Sequence, residues 1–373
     1  MRLRKLSNGY GVFFDPSQST SGQRFFRDLY RILSKDAIPL EDRPKVLLFN
    51  VSASFYEIAK AKFYGQKVVL RIDGLYYDRL SIAFLERFSW PLKMLFSFGL
   101  KYPSLHDLLA HLANFIDQNY GAFLKIIFAD LLIYQSNFSR DSYFQYFRSK
   151  PYKIIVNGSN YHTNISSNRN NDSIGEIKLI VIYNDWKPSK RMKELIYFVY
   201  WAHEIKRQPI SLTILGYTGR IPRAAGKRMK QIVENSSFIH ILPEFKDFND
   251  TFAKAFYESD MYITFSNRDP CPNVVVEAMA HGLPVVGLHS GGHPDIVGDA
   301  GILLPENDNA GFFAPYRFES DFPHIDYDAV LKGVLDVKKD LILYHSRVKQ
   351  RFIKDLGIEV VANRYTDVLK SFL

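Results

Sequence analysis

Short apolar, β-branched runs alternate with amphipathic segments along the whole chain. In the first half the runs fall at 10–15, 45–50, 67–73, 131–135 and 153–156. In the second half they fall at 177–183, 211–216, 238–242, 261–265, 284–288 and 301–304. Runs such as KLIVIY and LTILG are apolar throughout, as expected of strands buried on both faces of a parallel sheet. Segments between them, among them 23–33, 191–204 and 248–258, read as amphipathic helices. Two such series predict an α/β chain of two doubly wound, Rossmann-like domains with parallel sheets. The Asn- and Ser-rich stretch 157–172 is the linker by composition, so the domains are taken as 1–156 and 157–357.

Between 79 and 127 no strand is evident and aromatics crowd in, with Arg87, Lys93 and Lys101 interleaved. This predicts a helical insertion. Either it lies on a membrane surface, with aromatics at headgroup level and cations over anionic lipid, or its helices pack on one another.

A length of 373 residues suits two domains, each with its own core. A composition of 47% hydrophobic and 23% charged residues excludes a disordered chain. The single cysteine, Cys271, excludes an intrachain disulfide framework, a Cys-based zinc site and a CxxC centre. The basic start is broken by Ser7, Asn8 and Gly9, so no signal peptide is expected. No apolar run is long enough to span a membrane, which makes a cytoplasmic protein the expectation. The net charge of +9 is unevenly placed: residues 1–155 hold 22 Lys and Arg against 13 Asp and Glu, and the remainder is balanced. That half should seek an acidic partner such as nucleic acid, anionic lipid or a phosphorylated acceptor, or else is basic for solubility.

The chemistry concentrates in 266–297, SNRDPCPNVVVEAMAHGLPVVGLHSGGHPDIV. A strand ends, a loop with two prolines follows, and a helix is expected to start near Asn273. Ligands of open α/β sheets bind where the strands end, and a helix N-terminus there offers amides and a positive dipole end to an anion. Asp269 lies in the loop and Glu277 about one turn into the helix, so both can face one ligand. A second loop, His289-Ser290-Gly291-Gly292-His293, lets backbone approach the same crevice.

This pattern resembles the family 4 (group 1) retaining glycosyltransferases, whose GT-B fold sets two Rossmann-like domains about a central cleft. Their mark is two acids separated by seven residues, here Asp269 and Glu277, followed by EAMAHGLPVV and GGHPDIV. The likeness extends to the first strand–helix loop with Gly22, to IVNGSN at 155–160, and to a final helix, 358–373, that packs back on the first domain.

The resemblance implies a metal-independent transferase that takes a nucleotide-diphospho-sugar as its donor substrate, with no further cofactor. Glu277 would bond the donor ribose, and Asp269 would face the donor sugar. Asn273 and Val274 would offer amides to the diphosphate behind Pro272, and Lys190 with Arg191 would neutralise it. Gly22 and Gly216 fall on the donor side, and Asp73, in LRIDG, near the reacting sugar. The acceptor would be a glycan or lipid-linked glycan, with peripheral contact to the inner membrane face and no nucleic-acid partner. The physics is coherent: fixed cations and a helix N-terminus stabilise charge on the leaving diphosphate, as a metal ion would.

The chain departs from the family pattern in three places. The first acid is Asp where Glu is usual, Asn184-Asp185 replaces the common Gly-Arg, and Asp295 stands where Glu is typical. Simpler roles are available: a solvated helix residue for Glu277, a turn cap for Asp269, an exposed first helical turn for Lys190 and Arg191, tight turns for Asp73 and Gly22, and packing for Cys271. A nucleotide-sugar epimerase of the same fold and a catalytically silent nucleotide-sugar-binding protein are the alternatives.

Overall fold

Among the described residues eleven strands form where the apolar runs predicted them, in two parallel sheets. The computed structural model describes residues 6–16, 21–75, 80–160, 175–183, 188–217, 226–243, 250–306 and 322–373. These fall into two compact units. Unit 1 takes the described residues of Met1–Val156, Asn307–His324 and Val361–Leu373; unit 2 takes those of Asn157–Glu306 and Ile325–Val360. Most of the expected linker, 161–172, and the pair Asn184-Asp185 lie outside the described residues.

The sheet of unit 1 contains β1 (Ser7–Val12), β2 (Pro44–Asn50), β3 (Lys67–Ile72), β4 (Leu131–Tyr134) and β5 (Tyr152–Ile154), in that spatial order. The strands run in sequence order, without the reversal that marks a doubly wound sheet. Val46, Val69, Leu70 and Ile133 are fully buried, which is what their uninterrupted apolar runs required. β1 sits three residues earlier than its apolar run suggested. Beyond its end Phe14 stacks on Tyr30, 5.0 Å between ring centres. Helix Ile358–Lys370 reaches unit 1 from Val361 onward, where Lys45 Nζ donates to the Leu373 carbonyl at 2.7 Å.

The insertion between β3 and β4 is helical, as expected: Ile82–Leu85, Trp90–Lys101, Pro103–Asn114 and Tyr120–Phe128. Ser81 caps the first helix through the Phe84 amide, and prolines open the next two at positions that need no amide donor. The helices do pack on one another. Phe96, Ala110 and Ala113 are fully buried in a cluster with Leu80, Phe84, Leu85 and Leu109. Gly99 permits that approach, since a Cβ there would lie 2.4 Å from Leu80 Cδ1.

Unit 2 contains β6 (Ile177–Ile182), β7 (Ile210–Tyr217), β8 (Ile239–Pro243), β9 (Met261–Thr264), β10 (Val285–His289) and β11 (Gly301–Pro305), in the order β11-β10-β9-β6-β7-β8. The winding reverses between β6 and β9, which pair directly through Leu179–Met261 and Ile180–Tyr262. Loops leaving two such strands diverge and open a crevice at their carboxyl ends. The chemistry-bearing loops of unit 2 leave those two strands.

Candidate functional site

Lys190 ends the short turn Pro188–Lys190 after β6, and Asp269 lies in the loop after β9. The reversal brings them together, with Lys190 Nζ 2.5 Å from Asp269 Oδ2. Asp269 Oδ1 accepts from the Cys271 amide at 3.2 Å, so both carboxylate oxygens are held. Burial by itself would push the Asp269 carboxyl up, but the Lys190 ammonium overrides it and the group sits below its ordinary range. The side chains keep 27% and 21% exposure, so the ion pair is reachable by a ligand.

The helix Asn273–Ala280 begins four residues after Asp269, with Pro272 at its N-cap position. The Val275 amide turns back to the Pro272 carbonyl at 3.0 Å, and Asn273 and Val274 form the opening of the helix. Asn157 Nδ2 donates to Asn273 Oδ1 at 2.7 Å, tying the Asn-Gly segment to the helix start. Glu277 is half-buried on this helix. Burial raises the Tyr262 phenol, and the charges of Glu277 and Asp269 push it further in the same direction.

Arg191 separates from Lys190. It takes a left-handed backbone conformation (φ +54°) and is 3% exposed. Its Nε donates to Glu194 at 3.0 Å and its Nη1 to Glu306 at 3.3 Å. Through these two carboxylates the Arg191 guanidinium braces the loop that carries Lys190. Tyr183 adds to the brace by donating to the Lys190 carbonyl. Glu306 also accepts from Asn267 at 2.8 Å. Sequence reasoning missed Glu306 and Asn267, although both follow strand ends of the same sheet, where the crevice rule directs attention.

The Gly291-Gly292 loop brings its backbone against the loop that holds Asp269. Gly291 has φ +58°, and a Cβ there would fall 2.2 Å from the Asp269 carbonyl oxygen. The Gly292 amide donates to that oxygen at 2.7 Å. The glycines thus clamp the main chain of Asp269. Beside them, His293 is fully buried and its Nδ1–H donates to the Ser290 carbonyl at 2.6 Å. That bond places a proton on Nδ1, while Nε2 has no hydrogen-bond partner among the described residues. Burial lowers the ring's affinity for a proton.

Gly216 lies inside β7 with φ +77°, at the irregularity where pairing with β8 shifts register. Its positive φ is the conformation glycine permits. Gly22 falls in unit 1, within the first turn of helix Ser21–Leu33 and not in the loop before it.

Asp73 also lies in unit 1, just past β3, in a polar cluster of its own. Arg71 is fully buried; its Nη1 donates to Asp73 Oδ1 and to Asn50 Oδ1, both at 2.9 Å, and its guanidinium lies 5.0 Å from the Phe25 ring centre. Gln135 Nε2 donates to the same Asp73 oxygen. Arg71 is legible in the sequence as a charge inside the otherwise apolar strand KVVLRI, and buried charge requires partners.

Among the described residues no group of three His, Cys, Asp or Glu side chains is placed to hold a metal ion. No helix is long and apolar enough to cross a membrane among those residues.

Residues 180–315 match the family model Glycosyl transferases group 1. No curated protein sequence matches the chain. In fold it is similar to Anabaena Alr3699/HepE, crystallised with UDP-glucose (15% identity, TM-score 0.61, 98% of this chain and 100% of that one). It is also similar to the pneumococcal O-GlcNAc transferase GtfA with UDP and GlcNAc (13% identity, TM-score 0.55, 88% of this chain). The chain spans 56% of the length of GtfA. Staphylococcus aureus TarM is a further match (14% identity, TM-score 0.55, 92% of this chain and 58% of that one). The two parallel sheets with their helices are thus the GT-B fold of glycosyltransferases.

Proposed function

We propose that the chain is a hexosyltransferase-type glycosyltransferase. It moves a sugar from a nucleotide-diphospho-sugar to a glycan or lipid-linked glycan with retention of configuration, and without a metal ion. The observation that carries this reading is the Lys190–Asp269 ion pair at the β6/β9 reversal, beside the start of helix Asn273–Ala280 and inside the segment matched by the group 1 model. The UDP complexes of HepE and GtfA support a uridine diphosphate donor.

In this reading the donor diphosphate lies against Lys190 and the opening amides of Asn273 and Val274. As the sugar–phosphate bond breaks, negative charge grows on the leaving diphosphate. A fixed ammonium and a helix N-terminus stabilise that charge without reorganising, which is the work a divalent cation would otherwise do. Asp269 holds Lys190 in place and faces the donor sugar, Glu277 takes the ribose hydroxyls, and Arg191 braces the loop. In unit 1, Asp73 serves the reacting sugar, held by Arg71 and Gln135. Peripheral contact with the inner membrane face belongs to the same reading, through the lipid-linked acceptor. The epimerase and the silent binder gain no support from a match to a transferase family.

The test is a panel of nucleotide-sugars screened for thermal stabilisation. A ligand at 100 times its dissociation constant adds about 2.7 kcal/mol. Turnover of the best donor, in the presence of a chelator, should then release nucleoside diphosphate and leave the transferred sugar with its anomeric configuration retained. An intact donor with an inverted hydroxyl centre would establish epimerisation instead.

A further inference from the structure

The helical insertion of unit 1 has two apolar faces, and its own packing uses one. Phe96, Leu109, Ala110 and Ala113 form the shared core. On helix Trp90–Lys101, Trp90, Met94 and Phe98 recur every fourth residue and are 72%, 48% and 45% exposed. On helix Pro103–Asn114, Leu105, Leu108 and Leu112 recur at spacings of three and four and are likewise exposed, Leu108 by 66%. Such spacing places each set on one side of its helix. Apolar side chains exposed in registered stripes, unlike singly scattered ones, mark an interaction surface.

The exposed apolar surface continues through Tyr120 and Ile127 on helix Tyr120–Phe128. It passes to helix Phe55–Phe63, where Phe55 packs edge-on against Phe128 with ring centres 5.2 Å apart, while Tyr56 and Phe63 stand 69% and 74% exposed. Lysines gather at this end. Lys150 Nζ sits on the carbonyls of Ile127 and Ala129 at 2.8 and 2.9 Å, Lys62 and Lys67 share Asp130, and Lys60 pairs with Glu57. Four lysines thus face two carboxylates.

We propose that this surface lies in the interface of an anionic lipid bilayer. The two stripes sink to the boundary between headgroups and acyl chains, and the lysine-rich end sits over anionic headgroups. Two features select the bilayer over a second copy of the chain. At the edge beside helix Phe55–Phe63 four lysines face two carboxylates, a net positive charge that an anionic bilayer complements and a like surface does not. The exposed set also joins Trp and Tyr to Leu and Phe, the mixture that partitions to headgroup depth. The inference rests on the proposed lipid-linked acceptor for its purpose, and names the surface through which that acceptor is reached.

The test uses the full chain with vesicles of phosphatidylcholine alone and of phosphatidylcholine mixed with phosphatidylglycerol. The wild-type chain should sediment with the anionic vesicles at low salt and release at high salt, since the lysine contribution is screened within a Debye length. Its tryptophan emission should shift to the blue as Trp90 leaves water. Leu108→Asp and Phe98→Asp should each weaken vesicle binding about tenfold or more, with the thermal midpoint unchanged for Leu108→Asp, whose side chain is 66% exposed. Absence of binding to anionic vesicles at low salt would overturn the proposal. So would unaltered binding by both variants, or a concentration-dependent dimer that Leu108→Asp dissolves. Donor binding measured without vesicles tests the glycosyltransferase reading separately.

Discussion

Lys190 and Asp269 are 79 residues apart in the chain and 2.5 Å apart in space. The contact exists because β9 inserts beside β6, so that the loops leaving both strands emerge side by side. It converts two residues with simple local explanations into one polar site with a defined charge arrangement, open enough to receive an anion.

Replacing Lys190 by Ala should therefore do two things. Asp269 loses the ammonium that holds its carboxyl low, and a bound diphosphate loses a charge-assisted hydrogen bond worth about 1.5–3 kcal/mol. Isothermal titration should show a loss of at least about tenfold for the nucleotide-sugar and little change for the free nucleoside. Glu277→Ala should weaken both ligands alike, because the ribose is common to them. Equal losses in the Lys190 variant would remove that residue from the phosphates.

Two glycines with positive φ separate strain from collision. Gly282 has φ +76° and open space where a Cβ would go, whereas Gly291 has φ +58° and the Asp269 carbonyl 2.2 Å from that point. Gly282→Ala should cost about 1 kcal/mol, the price of the left-handed conformation. Gly291→Ala should cost at least about 2–3 kcal/mol more and weaken donor binding, since Asp269 must move. Urea unfolding gives the first comparison and donor titration the second.

The buried ring of His293 makes stability depend on pH. Its folded-state proton affinity is lowered by burial, so the unfolded chain takes up this proton first as the pH falls. The contribution is fully present above about pH 6.5, the unperturbed histidine value, and is lost progressively below it. Asp269 acts in a lower window: its carboxyl is held down in the folded state, so its contribution is present above about pH 3.9 and disappears as the pH drops through the folded value. Urea midpoints measured from about pH 8 to about pH 5 should fall more steeply for the wild type than for His293→Gln. Parallel curves would show that His293 does not titrate in that window.

Arg71 should be the most sensitive position in unit 1. Removing one member of a buried ion pair costs about 3–5 kcal/mol, and the figure here is reduced to about 2–3 kcal/mol because the Asp73 side chain is 29% exposed. Arg71→Met should lose that amount, and the double variant with Asp73→Asn should recover part of it. A double variant no more stable than Arg71→Met would mean that Asp73 does not depend on the guanidinium.

The sequence by itself determined the local elements and the first half of the site. Strand positions followed from uninterrupted apolar runs, because a strand covered on both faces has no polar side to display. The start of helix Asn273–Ala280 was likewise legible, since loop, cap and first turn lie within a few residues of one another.

Only the tertiary structure decided which loops meet. That Lys190 reaches Asp269 while its neighbour Arg191 turns to Glu306, 115 residues away, depends on strand order. Strand order is chosen by the packing of the whole sheet and leaves no periodic trace along the chain. The same holds for the sequential order of unit 1, for the Arg71 cluster drawn from three strand ends, and for which face of the insertion stays open. Helical spacing reveals that Met94, Phe98, Leu105 and Leu108 are apolar; only the packing of Phe96 against Ala110 and Ala113 decides that they are left to water or to a partner.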